Sequence, residues 1–383
     1  MKFLKKIHDK LEPNFNKGKR LYFLNSTFNA FSTFLFVPNH TTHSGSHIRD
    51  AIDLKRTMAV VVLALIPATI FGMWNVGYQH FLSLGINKPL FDEFLYGLIK
   101  VLPLIVVSYV VGLGIEFAFA QIKGHQVNEG FLVSGMLIPL IVPPDIPLWM
   151  LATATAFAVI IGKEVFGGTG MNIFNPALIA RAFLFFAYPK QMSGDIVWIA
   201  EKGDAVTGAT PLASAAAGQI DSMPSAWEMF FGNIPGSVGE TSTIAILLGA
   251  AVLIISGIGN LRIMLSVFIG GYLMGLLLNL WGTNAYMNLP AHYHLIMGGF
   301  AFGAVFMATD PVTASQTNTG KYIYGFLIGV FAVLIRVLNP AYPEGMMLSI
   351  LLMNTFAPLI DHYVIGANIK RRLKRAKQKS NVQ

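Results

Sequence analysis

Seven carboxylates lie within or beside long apolar runs: Glu116, Glu129, Asp145, Glu164, Asp310, Glu344 and Asp361. A charge in hydrocarbon is costly, so such a residue is paired, capped at a helix end, or serving an ion. The bases in the same regions, Lys163, Arg181 and Arg336, are fewer than the acids. Carboxylate and carbonyl oxygens are hard ligands that suit a small cation better than imidazole does. Glu116, Asp310 and Asp361 have no base within four positions and are the candidates for cation uptake or coupling. The sequence pairs Glu164 with Lys163 or Arg181, and Glu344 with Arg336; for any one of these acids a structural role at a helix end stays open.

Two further segments carry polar groups at suggestive spacing. Phe166-Gly167-Gly168-Thr169-Gly170-Met171-Asn172 is followed by Asn175-Pro176-Ala177. Glycines before a helix start permit close backbone approach. The amides of Asn172 and Asn175 can both donate and accept, whether to cap a broken helix or to hold a ligand. Asp204-Ala205-Val206-Thr207-Gly208-Ala209-Thr210 puts two hydroxyls in a short Gly-Ala turn, which alone reads as a loop. His292 and His294 bracket Tyr293 with no third ligand nearby in sequence, so an interfacial role is expected before a metal. Phe183, Phe185 and Phe186 could stack on a ring system, but a Phe-rich helix more commonly packs against lipid.

The elements that would position these groups belong in a membrane. Of 383 residues, 54% are hydrophobic and 12% charged, about half the charged share of a soluble domain; mean hydropathy is +0.59. There are no cysteines, so neither a disulfide nor a thiolate-ligated metal or cluster belongs to this chain. The net charge of +8 is concentrated at the ends: ten of the 27 Lys and Arg precede residue 57 and seven follow Asp361. That is the positive-inside pattern and not a nucleic-acid footprint. Residues 1–56 lack a signal-peptide apolar core and read as a basic, aromatic segment along the cytoplasmic membrane surface or on partners.

The apolar runs predict an all-α integral membrane protein of about ten spans. They fall at 57–77, 97–120, 129–142, 147–166 and 172–187, then 243–259, 262–281, 293–309, 322–338 and 344–361. Segment 188–242 between the halves holds two bases and six acids and is placed outside, with both basic ends, the second at 362–383, on the cytoplasmic side. Pro139, Pro143, Pro144 and Pro311 break spans into half-helices. Asn175-Pro176-Ala177 recurs as Asn339-Pro340-Ala341, and Pro143-Pro144-Asp145 has a counterpart in Thr309-Asp310-Pro311. Five spans (57–187) and five (243–361) make an inverted repeat, a plan that places ligands at broken helices.

Beyond these features the chain resembles, along nearly its whole length, the family of B subunits of sodium-translocating NADH:quinone oxidoreductases. The matching stretches include Ser46–Arg56, Val127–Phe131, Gly162–Gly170 with Asn172 and Asn175–Leu178, Arg181–Pro189, Gly232–Ser237, Met307–Val312 and Ile335–Met347. In that family the last Thr of an Asp-Gly-x-Ser/Thr-Gly-Ala-Thr motif carries FMN through a phosphoester. The resemblance implies covalent FMN on Thr210, within an attachment motif of Asp204, Thr207, Gly208 and Ala209, with Ala205 where Gly is usual. It implies a non-covalent riboflavin site at Gly168, Thr169, Gly170, Asn172 and Asn175. It also implies a ubiquinone or menaquinone site near Gly112 and Gly114, although the family more usually has two adjacent glycines there.

The same resemblance implies a bacterial inner-membrane complex with five further subunits (A, C, D, E and F) and a flavin transferase that matures this one. No dinucleotide fingerprint follows a strand, so NADH oxidation is expected elsewhere in that complex. Two rivals stand: the related D subunit of the ferredoxin:NAD oxidoreductase, which normally lacks the long basic leader, and a flavin-free channel or carrier with an inverted repeat. Bound flavin separates the redox protein from the carrier.

Overall fold

The computed structural model describes residues 2–15, 19, 21–36, 42, 44–48, 53–124, 130–195, 197–203, 208–339 and 344–380. Among them there are helices, turns and no strand. The membrane region begins with α3 (Leu54–Ser83) and α4 (Leu90–Lys123), then α5 (Phe131–Leu140), α6 (Leu148–Ile160) and α7 (Pro176–Ala187). Ahead of it lie α1 (Lys2–Leu11) and α2 (Asn25–Leu35). Three short helices, α8 (Pro189–Met192), α9 (Pro211–Ala216) and α10 (Ala226–Phe231), occupy the polar connection. The chain then forms α11 (Thr243–Ile255), α12 (Leu261–Trp281), α13 (Tyr293–Ile296), α14 (Phe300–Phe302) running into a π turn at Gly303–Met307, α15 (Asn318–Leu338) and α16 (Met346–Ser380).

Six of these elements are long and apolar enough to cross a membrane: α3, α4, α6 with the turn after it, α12, α15 and α16. α5, α7 and α11 are shorter apolar helices of 10, 12 and 13 residues. Each apolar run expected from sequence holds helix, but the run at 293–309 is not one span. It is two short helices and a π turn, because Gly298 with φ +59 and Gly299 break it. The run at 129–142 yields only Phe131–Leu140, and Glu129 lies outside the described residues. Multi-pass insertion follows from this helix set, since in lipid each backbone group must be satisfied inside its own segment.

Helix ends are set by side-chain caps. Asp53 accepts from Arg56 N at α3, Ser242 from Ala245 N at α11, Asn260 from Arg262 N at α12 and Thr317 from Gly320 N at α15. Asn175 caps α7 with Pro176 at its first position, which satisfies two of the orphan amides there. Small residues let helices touch. A Cβ on Gly329 of α15 would lie 2.1 Å from Val267 O of α12, and one on Gly270 would lie 2.2 Å from Phe326 O. These are backbone-to-backbone contacts of the kind that hold membrane helices together.

Candidate functional site

α7 connects two separate pockets. Its first residues line one, together with α3, α5, α11, the turn after α6 and the 306–312 segment; its second half lines the other, together with Thr210 and the 234–241 segment. At 1.5 Å per residue, Asn175 is about 9 Å along the helix axis from Arg181 and about 15 Å from Phe185.

The Thr210 pocket is a cleft open to solvent, with about 790 Å³ of unfilled space, part of it outside the wall. Thr210 is half-buried and caps α9, its Oγ1 accepting from Ala213 N at 3.2 Å. Gly208 is buried because a Cβ there would lie 2.3 Å from Asp195 O. Ala209 is half-buried; Asp204 and Thr207 lie outside the described residues. Trp198 and Phe185 supply aromatic wall. The floor is ionic: buried Arg181 donates to Glu240 Oε1 at 2.6 Å and also pairs with Glu344. Gly299 admits both carboxylates, since a Cβ there would lie 2.5 Å from an oxygen of each. This corrects the expected Glu344–Arg336 pair. Arg336 Nε donates to the Glu344 backbone carbonyl, and its other nitrogens to the carbonyls of His294 and Met297.

A clamp fastens the chain leading to Thr210. Lys100 of α4 donates to Glu201 at 2.7 Å and to Asp145 at 3.3 Å. Tyr96 OH donates to Glu201 at 2.8 Å, and Glu201 N donates to Asp145 at 2.6 Å. Glu201 carries φ +45, the one non-glycine residue there among those described, so its backbone is strained and the clamp holds it. The Lys100 and Tyr96 hydrogen bonds keep the Glu201 carboxyl below the ordinary carboxylate range.

The Asn175 pocket measures about 830 Å³ and has mainly apolar walls, including Val61, Val133, Leu137 and Phe306. Its polar groups include Lys163, Thr169, Asn172, Asn175, Thr309 and Asp310, with the hydroxyls of Thr57 and Ser134. Asn175 Oδ1 accepts from Ala177 N at 2.9 Å and Leu178 N at 3.4 Å, while its Nδ2 donates to Asp310 at 3.4 Å. Asn172 Nδ2 donates to Phe174 O at 3.0 Å. Asp310 is held by Val312 N and by Thr313 Oγ1, and the capping role of Asn175 coexists with its place in the pocket wall. Gly168 and Gly170, at φ +93 and +91, form the turn that carries Thr169 into the pocket, a backbone form that L side chains avoid.

Among the described residues the acids sit in different settings. Glu116 is buried and paired with Lys163, a base that sequence spacing did not reveal because it comes from the end of α6. Glu164 pairs with Lys123 at 3.4 Å, not with Lys163 or Arg181, since Arg181 is taken by Glu240 and Glu344. Asp361 stands apart on α16 and accepts from Ser315 Oγ, Gln316 N and both donors of Thr317, which fixes the start of α15. Gly112 is buried against the Phe131 ring, whereas Gly114 faces open space. His294 is fully buried and not interfacial, with neither ring nitrogen hydrogen-bonded. Sequence reading missed Trp198, Lys100 and Glu201; only the loop setting of Trp198 and Glu201, and a lone base inside the apolar α4, could have hinted at them.

Each pocket offers apolar walls, a polar edge and hydroxyl groups, which suits a planar heterocycle. Against known proteins, residues 41–370 match the model of the NQR2, RnfD, RnfE family. The chain is 51% identical to the B subunit of the Na(+)-translocating NADH-quinone reductase of Ectopseudomonas mendocina, covering 96% of this chain and 98% of that protein. It is 49% identical to the same-named protein of Chromohalobacter salexigens (96% and 95% covered) and 47% to that of Pseudomonas aeruginosa (97% and 99%). With membrane helices, a family model matched over residues 41–370 and full-length relatives in agreement, the chain belongs to the NQR2, RnfD, RnfE family.

Proposed function

We propose that this chain is the membrane-embedded B subunit of a sodium-pumping NADH:quinone oxidoreductase, carrying electrons between two flavins. FMN joined to Thr210 by a phosphoester occupies the Thr210 pocket; riboflavin occupies the Asn175 pocket; a ubiquinone or menaquinone is reduced near Gly112 and Gly114. The observation that carries this reading is the pair of pockets on one short helix, α7, with Thr210 in one and Thr169, Asn172 and Asn175 in the other. Trp198 and Phe185 fit a ring system, and the Thr210 hydroxyl on a half-buried surface fits phosphoryl attachment. Bound flavins supply the redox chemistry; this chain's residues bind and orient them and keep bulk water from the path between them.

The ten apolar segments are read as an inverted repeat with both basic ends cytoplasmic, which puts Thr210 outside and Asn175 near the cytoplasmic face. Asp310, at the wall of the Asn175 pocket, places a carboxylate where a cation could accompany an arriving electron; Glu116 and Asp361 are the other residues proposed for the sodium path. Catalysis belongs to the assembly, with its other five subunits, a flavin transferase for maturation and the bacterial inner membrane around it. The 47–51% relatives favour this over the D subunit of the ferredoxin:NAD oxidoreductase. The test is a double dissociation in the purified complex. Thr210→Ala should remove covalent flavin alone, and Asn172→Leu with Asn175→Ala should remove acid-extractable flavin alone. Loss of neither flavin would overturn the placement of the flavins in these pockets, and a complex in which this chain holds no flavin would leave the flavin-free carrier.

A further inference from the structure

Lys163 and Glu116 form the most deeply enclosed ion pair beside a pocket, at 3% and 4% exposure. Taking two charges out of water costs several kcal/mol each, so a pair in this place needs a use or close compensation. Lys163 follows α6 and lines the Asn175 pocket. Glu116 comes from the far half of α4, does not line the pocket, and holds the lysine from behind. Asp310, across the pocket, also lies within electrostatic reach of Lys163. Lys163 thus brings a paired ammonium to a pocket with mainly apolar walls, whose lining also includes Thr169, Asn172, Asn175 and the Asp310 carboxylate.

We propose that Lys163 binds the polar edge of the flavin in the Asn175 pocket and offsets the negative charge that the flavin gains on reduction, while Glu116 is the positioning residue that aims it. The proposal rests on the reading that this pocket holds a non-covalent flavin. One electron arriving from the flavin proposed on Thr210 adds one negative charge to the occupant; no bond forms or breaks and no proton moves. In a pocket of low polarity that charge is stabilised by a nearby cation far more than it would be in water. Lys163 therefore raises the flavin's affinity for the electron, and the effect of removing Glu116 on the flavin travels through the lysine.

The experiment uses the whole complex with Lys163→Arg, Lys163→Gln, Glu116→Gln and the double variant Glu116→Gln/Lys163→Gln. The double variant removes both charges and so leaves no lone buried ion if a single variant fails to assemble. Covalent flavin on Thr210 reports assembly, and the readouts are acid-extractable flavin content and the redox titration of that flavin. Lys163→Gln and the double variant should shift the reduced-to-oxidised ratio at a fixed potential about tenfold toward oxidised, which for a one-electron couple is about 59 mV. Lys163→Arg should restore most of it.

Unchanged flavin content and midpoint in both neutral variants would overturn the proposal. So would a change confined to sodium dependence, which would return the pair to the ion path. If Asn172→Leu with Asn175→Ala leaves acid-extractable flavin untouched, the reading of the pocket fails instead, a result distinguishable from failure of Lys163.

Discussion

At the scale of single residues, the structure separates positions that sequence alone had grouped. Gly112 and Gly114 are two apart but point to different environments: one under Phe131, the other with nothing within reach of an added Cβ. Gly114→Ala is therefore expected to leave the thermal midpoint unchanged or slightly higher, with up to about 1 kcal/mol gained in helix propensity. A rise in the quinone KM without loss of stability would then place quinone on that face; an unaltered KM would remove Gly114 from the site. Asp361 accepts hydrogen bonds from Ser315, Gln316 and Thr317, so it is at least a clasp on α15. Asp361→Asn should lower sodium-stimulated turnover with both flavins retained, and unaltered sodium dependence would take it off the ion path.

At the scale of elements, two devices govern how the pockets are held. The first is the clamp of Lys100, Tyr96 and Asp145 on Glu201, which fastens the segment ahead of Thr210 to α4. Because the folded-state carboxyl of Glu201 is lowered, the clamp is fully present above the ordinary Glu pKa and is lost as pH falls through the lowered value. Lys100→Ala should open the segment to protease at neutral pH, and wild type should match it only in acid; equal cleavage of the two at neutral pH would dismiss the clamp. The second device is the α12–α15 contact. Gly329→Ala forces a methyl onto Val267 O, with an expected cost of about 1–3 kcal/mol, read as a fall of several degrees in the thermal midpoint of the complex.

Helix positions were legible in the sequence because hydrophobic run length and caps are local signals. The run expected at 262–281 is α12 at Leu261–Trp281, and Asn175-Pro176 marks the start of α7 as read. The ion pairs were not legible: Glu116 and Lys163 are 47 positions apart and Arg181 and Glu240 are 59 apart, so only packing decides them. The break at Gly298–Gly299 was missed for a different reason. Its flanks are apolar enough to read as one span, and the carboxylates that need the glycine's space come from distant segments.

At the scale of the whole molecule, this is a membrane bundle whose two pockets share a helix, each with charged residues in its lining. Everything proposed for it depends on the Thr210 pocket being a flavin site by covalent attachment. The decisive experiment is in-gel flavin fluorescence of the denatured chain, with mass spectrometry of the peptide containing Thr210, after expression of the whole complex with its flavin transferase. Fluorescence that survives denaturation is expected, with an added mass of FMN minus water on Thr210, and Thr210→Ala should abolish both. A chain that carries no covalent flavin, or carries it on another residue, would contradict the assignment.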